Sequence, residues 1–101
     1  MRFILQATLP PEKFNRAALE GSVVQKINRI IEETKPEASY FTAVGGKRCA
    51  FLIINMESTS EIPKYAEPWF LNFDAGVDIM PAMTPEDLKK SGLEEAVKKW
   101  K

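Results

Sequence analysis

The sequence predicts a single α+β domain with the element order β-α-β-β-α-β and a further helical segment, residues 84–101. Three observations lead to this prediction. The chain of 101 residues has room for one domain. Runs in which apolar and polar residues alternate, as in strands, are separated by runs in which apolar residues recur at helical spacing. The pair Gly45-Gly46 lies between two β-rich runs, as in a tight hairpin.

The first strand and the helical region after it are marked by prolines and a glycine. Residues 2–9 alternate between two faces and predict a strand that ends at Pro10-Pro11. Residues 11–34 place apolar side chains at helical spacing. Gly21 interrupts that pattern, so we expect one helix to end there and a second to follow. A continuous helix, with the glycine packed tightly on the sheet, is the alternative.

The next two strands are predicted to form a hairpin. They cover Ala38 to Val44 and Lys47 to Met56, and their two-glycine connection suits a type I′ turn, which needs positive φ at both positions. Such a turn fixes which residues lie opposite each other. The expected pairs are Val44 with Lys47, Thr42 with Cys49, and Tyr40 with Phe51.

Capping motifs mark the predicted starts of the helices. They are Ser22 with Gln25, Ser58 with Glu61, and Thr84 followed by Pro85-Glu86-Asp87. The second motif predicts a short helix that Pro68 ends, after which residues 70–80 alternate again and predict the fourth strand. The third motif begins a helix that Gly92 ends or kinks. An amphipathic segment then follows to Trp100.

Two helices on one side of an antiparallel sheet satisfy this order economically, giving a ferredoxin-like sandwich. The predicted helix-facing side chains are apolar: Phe3, Leu5, Phe41, Leu52, Ile54, Phe73, Val77 and Ile79. The opposite face is mixed: Ile4, Gln6, Thr8, Tyr40, Thr42, Phe51, Ile53, Asn55, Asn72, Asp74 and Asp78. Because that face is too apolar to be left in water, we expect a second copy of the chain to cover it. In a monomer, residues 84–101 would cover it instead.

Composition excludes several function classes. Lys and Arg number 14, as do Asp and Glu, so no net charge attracts nucleic acid or anionic lipid, and we expect neither as a partner. The absence of histidine removes the commonest general base and metal ligand, and we expect no metal and no cofactor. Cys49 is the single cysteine, so no intrachain disulfide can form. With no apolar run near membrane length, these features predict a cytoplasmic protein.

The segments RFILQATLPPEKF and EPWFLNFDAGVDIMPAMTPEDL, together with the predicted layout, resemble a known superfamily. The chain is similar to an uncharacterised group of small bacterial proteins of the dimeric α+β-barrel superfamily, related in layout to muconolactone isomerase. The resemblance covers nearly the whole chain. It implies two open sheets facing each other, with small organic molecules bound in the barrel or between sheet and helices. It implies no catalytic residue, since none of the family's could be matched to a position here.

Polar side chains in an otherwise apolar pocket are typical of ligand sites. The predicted ligand-binding residues are Gln6, Tyr40, Thr42, Phe51, Asn72 and Asp74. The first hypothesis is a homodimer, or a higher homo-oligomer, that binds a small, largely apolar molecule. The second is a cofactor-independent isomerase or monooxygenase in which Asp74 or Tyr40 transfers a proton. The third is a purely structural dimerisation module, which would have no cavity.

Overall fold

The computed structural model describes all 101 residues. Its four strands are β1 (Arg2–Leu9), β2 (Ala38–Val44), β3 (Lys47–Asn55) and β4 (Gly76–Pro81). Its five α-helices are α1 (Pro11–Glu20), α2 (Val23–Thr34), α3 (Ile62–Phe73), α4 (Pro85–Lys89) and α5 (Leu93–Lys98). A turn of 3-10 helix, Thr59–Glu61, leads into α3. The α+β class predicted from the sequence is therefore confirmed.

The strands form one sheet in the order β2-β3-β1-β4, and every neighbouring pair is antiparallel. The hairpin prediction is confirmed, since Gly45 and Gly46 both have positive φ, at 59° and 78°. The predicted register is also confirmed: Val44 lies opposite Lys47, Thr42 opposite Cys49, and Tyr40 opposite Phe51. Because register fixes which side chains share a face, the two faces of β2 and β3 are those expected from the sequence.

The hydrophobic core lies between one face of the sheet and helices α1, α2 and α3. Its buried cluster comprises Phe3, Leu5, Ala7, Leu9, Ile30, Ala50, Leu52, Ile54, Met56, Tyr65, Trp69, Phe73 and Ala75. Phe14 of α1 packs against this cluster and against the ring of Phe73, with ring centroids 5.6 Å apart. The Arg48 guanidinium lies over the Phe14 ring, 4.3 Å from its centroid. The helices thus leave the opposite face of the sheet uncovered.

The predicted break between the first two helices is present. Gly21 adopts a left-handed conformation with φ 81°, and its N–H donates to carbonyls of the last turn of α1. The expected capping box at Ser22 is wrong, because the Ser22 side chain makes no capping bond at α2. Its Oγ instead donates to the carbonyl of Ala17 at 3.3 Å, and so helps to close the end of the preceding helix.

The strand predicted over residues 70–80 is wrong in its first half, and Pro68 does not end α3. The helix continues through Pro68 to Phe73, and β4 begins only at Gly76. The helix is held by the burial of Trp69 and Phe73, one turn apart on the core side, which outweighs the backbone hydrogen bond that proline removes. Asp74 then ends the helix in a left-handed conformation, φ 53°. Phe73 therefore enters the core as a residue of α3 and not as a residue of a strand.

Residues beyond β4 form the two short helices α4 and α5. The capping box predicted at Thr84 is present, with Asp87 Oδ2 accepting from the Thr84 N–H at 3.0 Å. Every residue from Pro85 to Lys101 is exposed, so this segment does not cover the sheet as expected for a monomer. None of the helices is long and apolar enough to cross a lipid bilayer.

Candidate functional site

The candidate site is the sheet face turned away from the helices, here called the open face. Strands alternate their side chains between the two faces, so this face carries every second residue of each strand. Its three middle rows consist of Ile4, Gln6, Thr8, Ala38, Tyr40, Thr42, Cys49, Phe51, Ile53, Gly76, Asp78 and Met80, with Arg2 and Asn55 beyond them at one end and Val44 and Lys47 at the other. Ile4, Gln6 and Phe51 are half-buried, whereas Tyr40 and Asp78 at the two sheet edges are exposed.

The central row of the open face crosses all four strands. The register places Tyr40 opposite Phe51, Phe51 opposite Gln6, and Gln6 opposite Asp78. Directly opposed side chains have Cβ atoms about 4.5–5.5 Å apart, so each member contacts the next. The row therefore has two aromatic side chains on one half of the sheet and an amide and a carboxylate on the other.

The rows on either side of the central row differ sharply in polarity. On one side lie Ala38, Ile53, Ile4 and Met80, all apolar. On the other side lie Thr42, Cys49, Thr8 and Gly76, of which two carry hydroxyl groups. The open face thus divides into an apolar half and a hydrogen-bonding half. Such a division suits a molecule with an apolar body and a polar end.

Cys49 anchors the hydrogen-bonding half. Its side chain is 2% exposed although it lies on the open face. The Gln6 amide donates to its sulfur at 3.9 Å, and the Thr8 hydroxyl lies 3.8 Å from the same atom. These long contacts to sulfur are weak, so Gln6 and Thr8 remain able to turn toward a stronger partner. Cys49 is therefore a buried thiol.

Two of the predicted site residues, Asn72 and Asp74, do not lie on the open face. Asn72 is in α3, where its amide donates to the Pro68 carbonyl at 2.8 Å. Asp74 follows α3 and pairs with Lys13 of α1, at 3.4 Å between Nζ and Oδ1. Lys13 also donates to the Leu71 carbonyl at 2.8 Å, the favourable place for a cation at a helix C-terminus. Asp74 and Tyr40 therefore do not line one cavity, and Asp74 cannot act as a proton-transfer group in a site on the open face.

The structure does bring together the other four predicted residues: Gln6, Tyr40, Thr42 and Phe51. It adds Asp78, which was predicted on the mixed face but not in the binding set and which lies opposite Gln6. It also adds Thr8, Ile4, Ile53 and Met80, which had been placed on strands but not in the binding set. Register alone could have found them, since Thr8 lies opposite Cys49 and Ile4 opposite Ile53.

An ionic cluster bounds the open face beyond its apolar row. Arg2 Nε donates to both carboxylate oxygens of Glu37, at 3.0 and 3.1 Å, and Asn55 Nδ2 donates to Oε1 at 3.1 Å. These hydrogen bonds, with Arg2 the strongest cause, hold the pKa of Glu37 below its usual value of 4.5. The charged groups in this cluster are already paired, so the cluster fixes the end of β2 and does not compete for a ligand.

A groove between α2 and α3 is a second candidate, on the helix side of the sheet. It has a volume of about 550 Å³, and its lining includes Arg29, Glu33, Lys64 and Glu67. Charges of both signs alternate there and only two lining residues are hydrophobic. Ligand sites for organic molecules are mostly apolar with a few convergent polar groups, which the open face matches and this groove does not. We therefore place the candidate site on the open face.

Comparisons with known proteins add no assignment. The sequence matches no model of a known protein family, and no curated protein is significantly similar to it. No three of its Cys, Asp and Glu side chains lie together in an arrangement that could hold a metal ion.

Proposed function

We propose that the chain is a homodimer in which two open faces pack together and hold a small, largely apolar organic molecule between them. The division of the open face into an apolar half and a hydrogen-bonding half carries this proposal. The assembly is a dimeric α+β barrel made from two ferredoxin-like domains. Two observations support that description: the strand order β2-β3-β1-β4, and the placement of helices α1–α3 on one side of the sheet.

The need for a partner comes from apolar surface that the chain does not cover by itself. Tyr40 is 66% exposed and Met80 is 40% exposed, while Phe51, Ile53 and Ile4 between them are only half-buried. A continuous apolar area of this kind is typical of interaction sites on proteins of this size. A second copy offers the same area, so a two-fold axis pairs the faces.

The need for a ligand comes from the hydrogen-bonding half. Two dry sheets packed together would place Gln6, Thr8 and Thr42 where water cannot reach them, at a cost unless each finds a hydrogen-bond partner. A small molecule with one polar end satisfies these groups, while its apolar body lies against Ile4, Phe51 and Ile53. In a purely structural module, apolar residues at these three positions would give a more stable interface, because they carry no polar groups to desolvate.

The charge of the site indicates which polar end is favoured. Asp78 is the one charged side chain in the three rows, and its carboxylate would repel an anionic ligand. The neutral donors and acceptors of Gln6, Thr8 and Thr42 suit a carbonyl, a lactone or a phenol. We therefore assign the ligand to the uncharged aromatic or lactone class, and give binding, not catalysis, as the function.

A thermal-shift screen tests this function directly. The panel pairs lactones and neutral aromatic carbonyl compounds with their matched carboxylic acids. A bound neutral compound at ten times its Kd stabilises the protein by about 1.4 kcal/mol, or about 5–10 °C in Tm for a domain of this size. Gln6→Met should weaken binding by about fivefold, the loss of one hydrogen bond of about 1 kcal/mol.

The control variant is Glu33→Gln in the α2–α3 groove, which should leave the shift unchanged. Asp78→Asn removes the repelling charge and should admit the matched acids. A shift that Glu33→Gln abolishes and Gln6→Met does not would place the ligand in the groove. The absence of any shift across the panel would contradict the ligand class.

A further inference from the structure

The segment after β4, residues 82–101, is here called the C-terminal arm, and it projects from the domain. The molecule measures 58 Å along its long axis but only 28 and 19 Å along the others. Its radius of gyration is 16.7 Å, whereas a compact domain of about 100 residues has about 13 Å. The arm therefore extends into solvent instead of packing on its own domain.

One side of the arm is apolar. In α5, Leu93 and Val97 are one helical turn apart, and Trp100 follows at the next helical position. With Leu88 of α4 they are between 46% and 88% exposed, Trp100 the most. The remaining positions of α5 are mainly Glu and Lys, so the helix is amphipathic. Because a helix of six residues is marginal by itself in water, it needs a surface that covers its apolar side.

Backbone and capping contacts fix the orientation of the first residues of the arm. The Ala82 N–H donates to the Arg2 carbonyl at 3.0 Å, which continues the β4–β1 ladder by one bond. Pro81 and Pro85 restrict the backbone on either side, and the capping box of Thr84 and Asp87 fixes the first turn of α4. With its first turn fixed in this way, the arm reaches no surface of its own domain that covers its apolar side. In the proposed dimer, the partner subunit supplies a covering surface.

We infer that in the homodimer each C-terminal arm packs along strand β2 of the partner subunit. The inference rests on the proposed function only for the existence of the dimer. Strand β2 is the sheet edge farthest from β4, and Phe41 is exposed on its helix side, next to the open-face residues Tyr40 and Val44 at the same edge. A two-fold axis parallel to the strands places β4 of one subunit over β2 of the other. The arm then leaves β4 beside the edge whose apolar side chains are uncovered.

The size of the interface supports the exchange of arms. Four strands at about 4.8 Å spacing, paired over about six residues, give an open face of only about 20 by 20 Å. That is on the order of 400 Å² per subunit, whereas a standard stable interface buries about 800 Å² per partner. A buried tryptophan alone contributes about 150–250 Å². Trp100, Leu93, Val97 and Leu88 together therefore supply the area that the open faces lack.

The position of Phe41 offers a variant that separates the two parts of the interface. Its side chain points to the helix side of the sheet, in register with Ala50, yet it is 50% exposed because no helix of its own chain covers β2 there. Phe41→Ser should weaken docking of the arm without changing a residue of the open face. Leu19→Ser is the matched control, because Leu19 is 90% exposed on α1, away from both surfaces.

Trp100 fluorescence in the full-length chain tests the inference. Subtracting the spectrum of Trp100→Phe cancels the signal of Trp69, which is fully buried. We expect Trp100 in the dimer to be shielded from acrylamide, and quenching to increase several-fold on dilution to monomer. Phe41→Ser should raise quenching in the dimer, and Leu19→Ser should not. Trp100→Ala should raise the dimer dissociation constant by about tenfold or more.

The outcomes distinguish the arm from the dimer itself. A dimer in which Trp100 is fully quenched overturns the exchange of arms and leaves the proposed dimer standing. A shielded Trp100 that Phe41→Ser does not expose overturns β2 as the docking surface. A monomer at all concentrations overturns both, whether Trp100 is quenched or shielded by its own chain.

Discussion

Tyr40 and Asp78 lie in one cross-strand row of the open face, at opposite edges of the sheet, with Phe51 and Gln6 between them. Three strand spacings separate the edges, about 14 Å. That width accommodates a one- or two-ring molecule lying across Phe51 and Gln6. The two edge side chains are the ones that a facing sheet and a ligand would bury most.

Asp74 should not take part in ligand binding. Asp74→Asn leaves the open face unchanged, so the thermal shift produced by a bound compound should be the same as in the wild-type chain. The measurement is the thermal-shift titration of both proteins with one binding compound. A loss of the shift in Asp74→Asn would restore the hypothesis of a site near the end of α3.

The backbone at Asp74 gives a second, independent prediction. Its φ of 53° lies in the left-handed region, which costs about 1 kcal/mol for a residue with a Cβ and little for glycine. The ion pair with Lys13 is exposed and contributes about 0–1 kcal/mol. Urea denaturation should therefore find Asp74→Gly within about 0.5 kcal/mol of wild type and Asp74→Ala about 1 kcal/mol less stable. An equal loss of unfolding free energy in both variants would mean that the Asp74 side chain, and not its backbone conformation, sets the change in stability.

Trp69 is fully buried, and its Nε1 has no hydrogen-bond partner. Trp69→Phe therefore removes no hydrogen bond, and leaves only a small cavity beside Phe73. We expect a loss of about 1–2 kcal/mol in the free energy of unfolding, measured in urea. Trp69→Ala, with a much larger cavity, should cost about 3–5 kcal/mol. A cost for Trp69→Phe that equals that for Trp69→Ala would indicate that the indole N–H is bonded.

Stability should fall in acid partly through Glu37. Hydrogen bonds from Arg2 and Asn55 lower the pKa of Glu37 in the folded chain below 4.5. Its stabilisation is therefore complete above the unfolded pKa and is lost as the pH falls through the folded value. The Tm of wild type should exceed that of Glu37→Gln at neutral pH, and the gap should close as the pH falls below 4.5.

The control for this prediction is Glu33→Gln, which removes a carboxylate that makes no ion pair. Its Tm should follow that of wild type across the same pH range. A gap between wild type and Glu37→Gln that widens in acid would contradict the assigned direction of the pKa.

Cys49 should react with thiol reagents only when the sheet opens. Its side chain is 2% exposed even in the single chain, between Gln6 and Thr8. Alkylation by iodoacetamide should therefore proceed at the rate of unfolding, and should accelerate with urea in parallel with it. Fast alkylation of the native protein would mean that the hydrogen-bonding half of the open face is accessible from solvent.

Local patterns explain which parts of this structure the sequence could predict. The hairpin and its register depend on two adjacent glycines, and the start of α4 on the Thr84 capping box. Both were predicted because the interactions lie within a few residues. The class and the open face followed from the same alternation of side chains, so Gln6, Tyr40, Thr42 and Phe51 were placed correctly on one surface.

The errors occurred where two patterns overlap. Phe73 lies at strand spacing from Val77 through Ala75, and at helical spacing from Trp69. The alternation predicts a strand, but burial of the two aromatic side chains continues the helix past Pro68. That prediction moved Asn72 and Asp74 onto the wrong surface. The direction of the C-terminal arm could not be predicted, because it is set by contacts at its base and not by periodicity.

Sedimentation equilibrium of the wild-type chain and of Phe51→Lys tests the central claim, that a second copy covers the open face. At micromolar concentration we expect twice the chain mass of 11.4 kDa for wild type and for the control Leu19→Lys. We expect 11.4 kDa for Phe51→Lys, since a lysine at the centre of the face would be buried without a partner. A wild-type mass of 11.4 kDa, or a dimer that Phe51→Lys leaves intact, would contradict it.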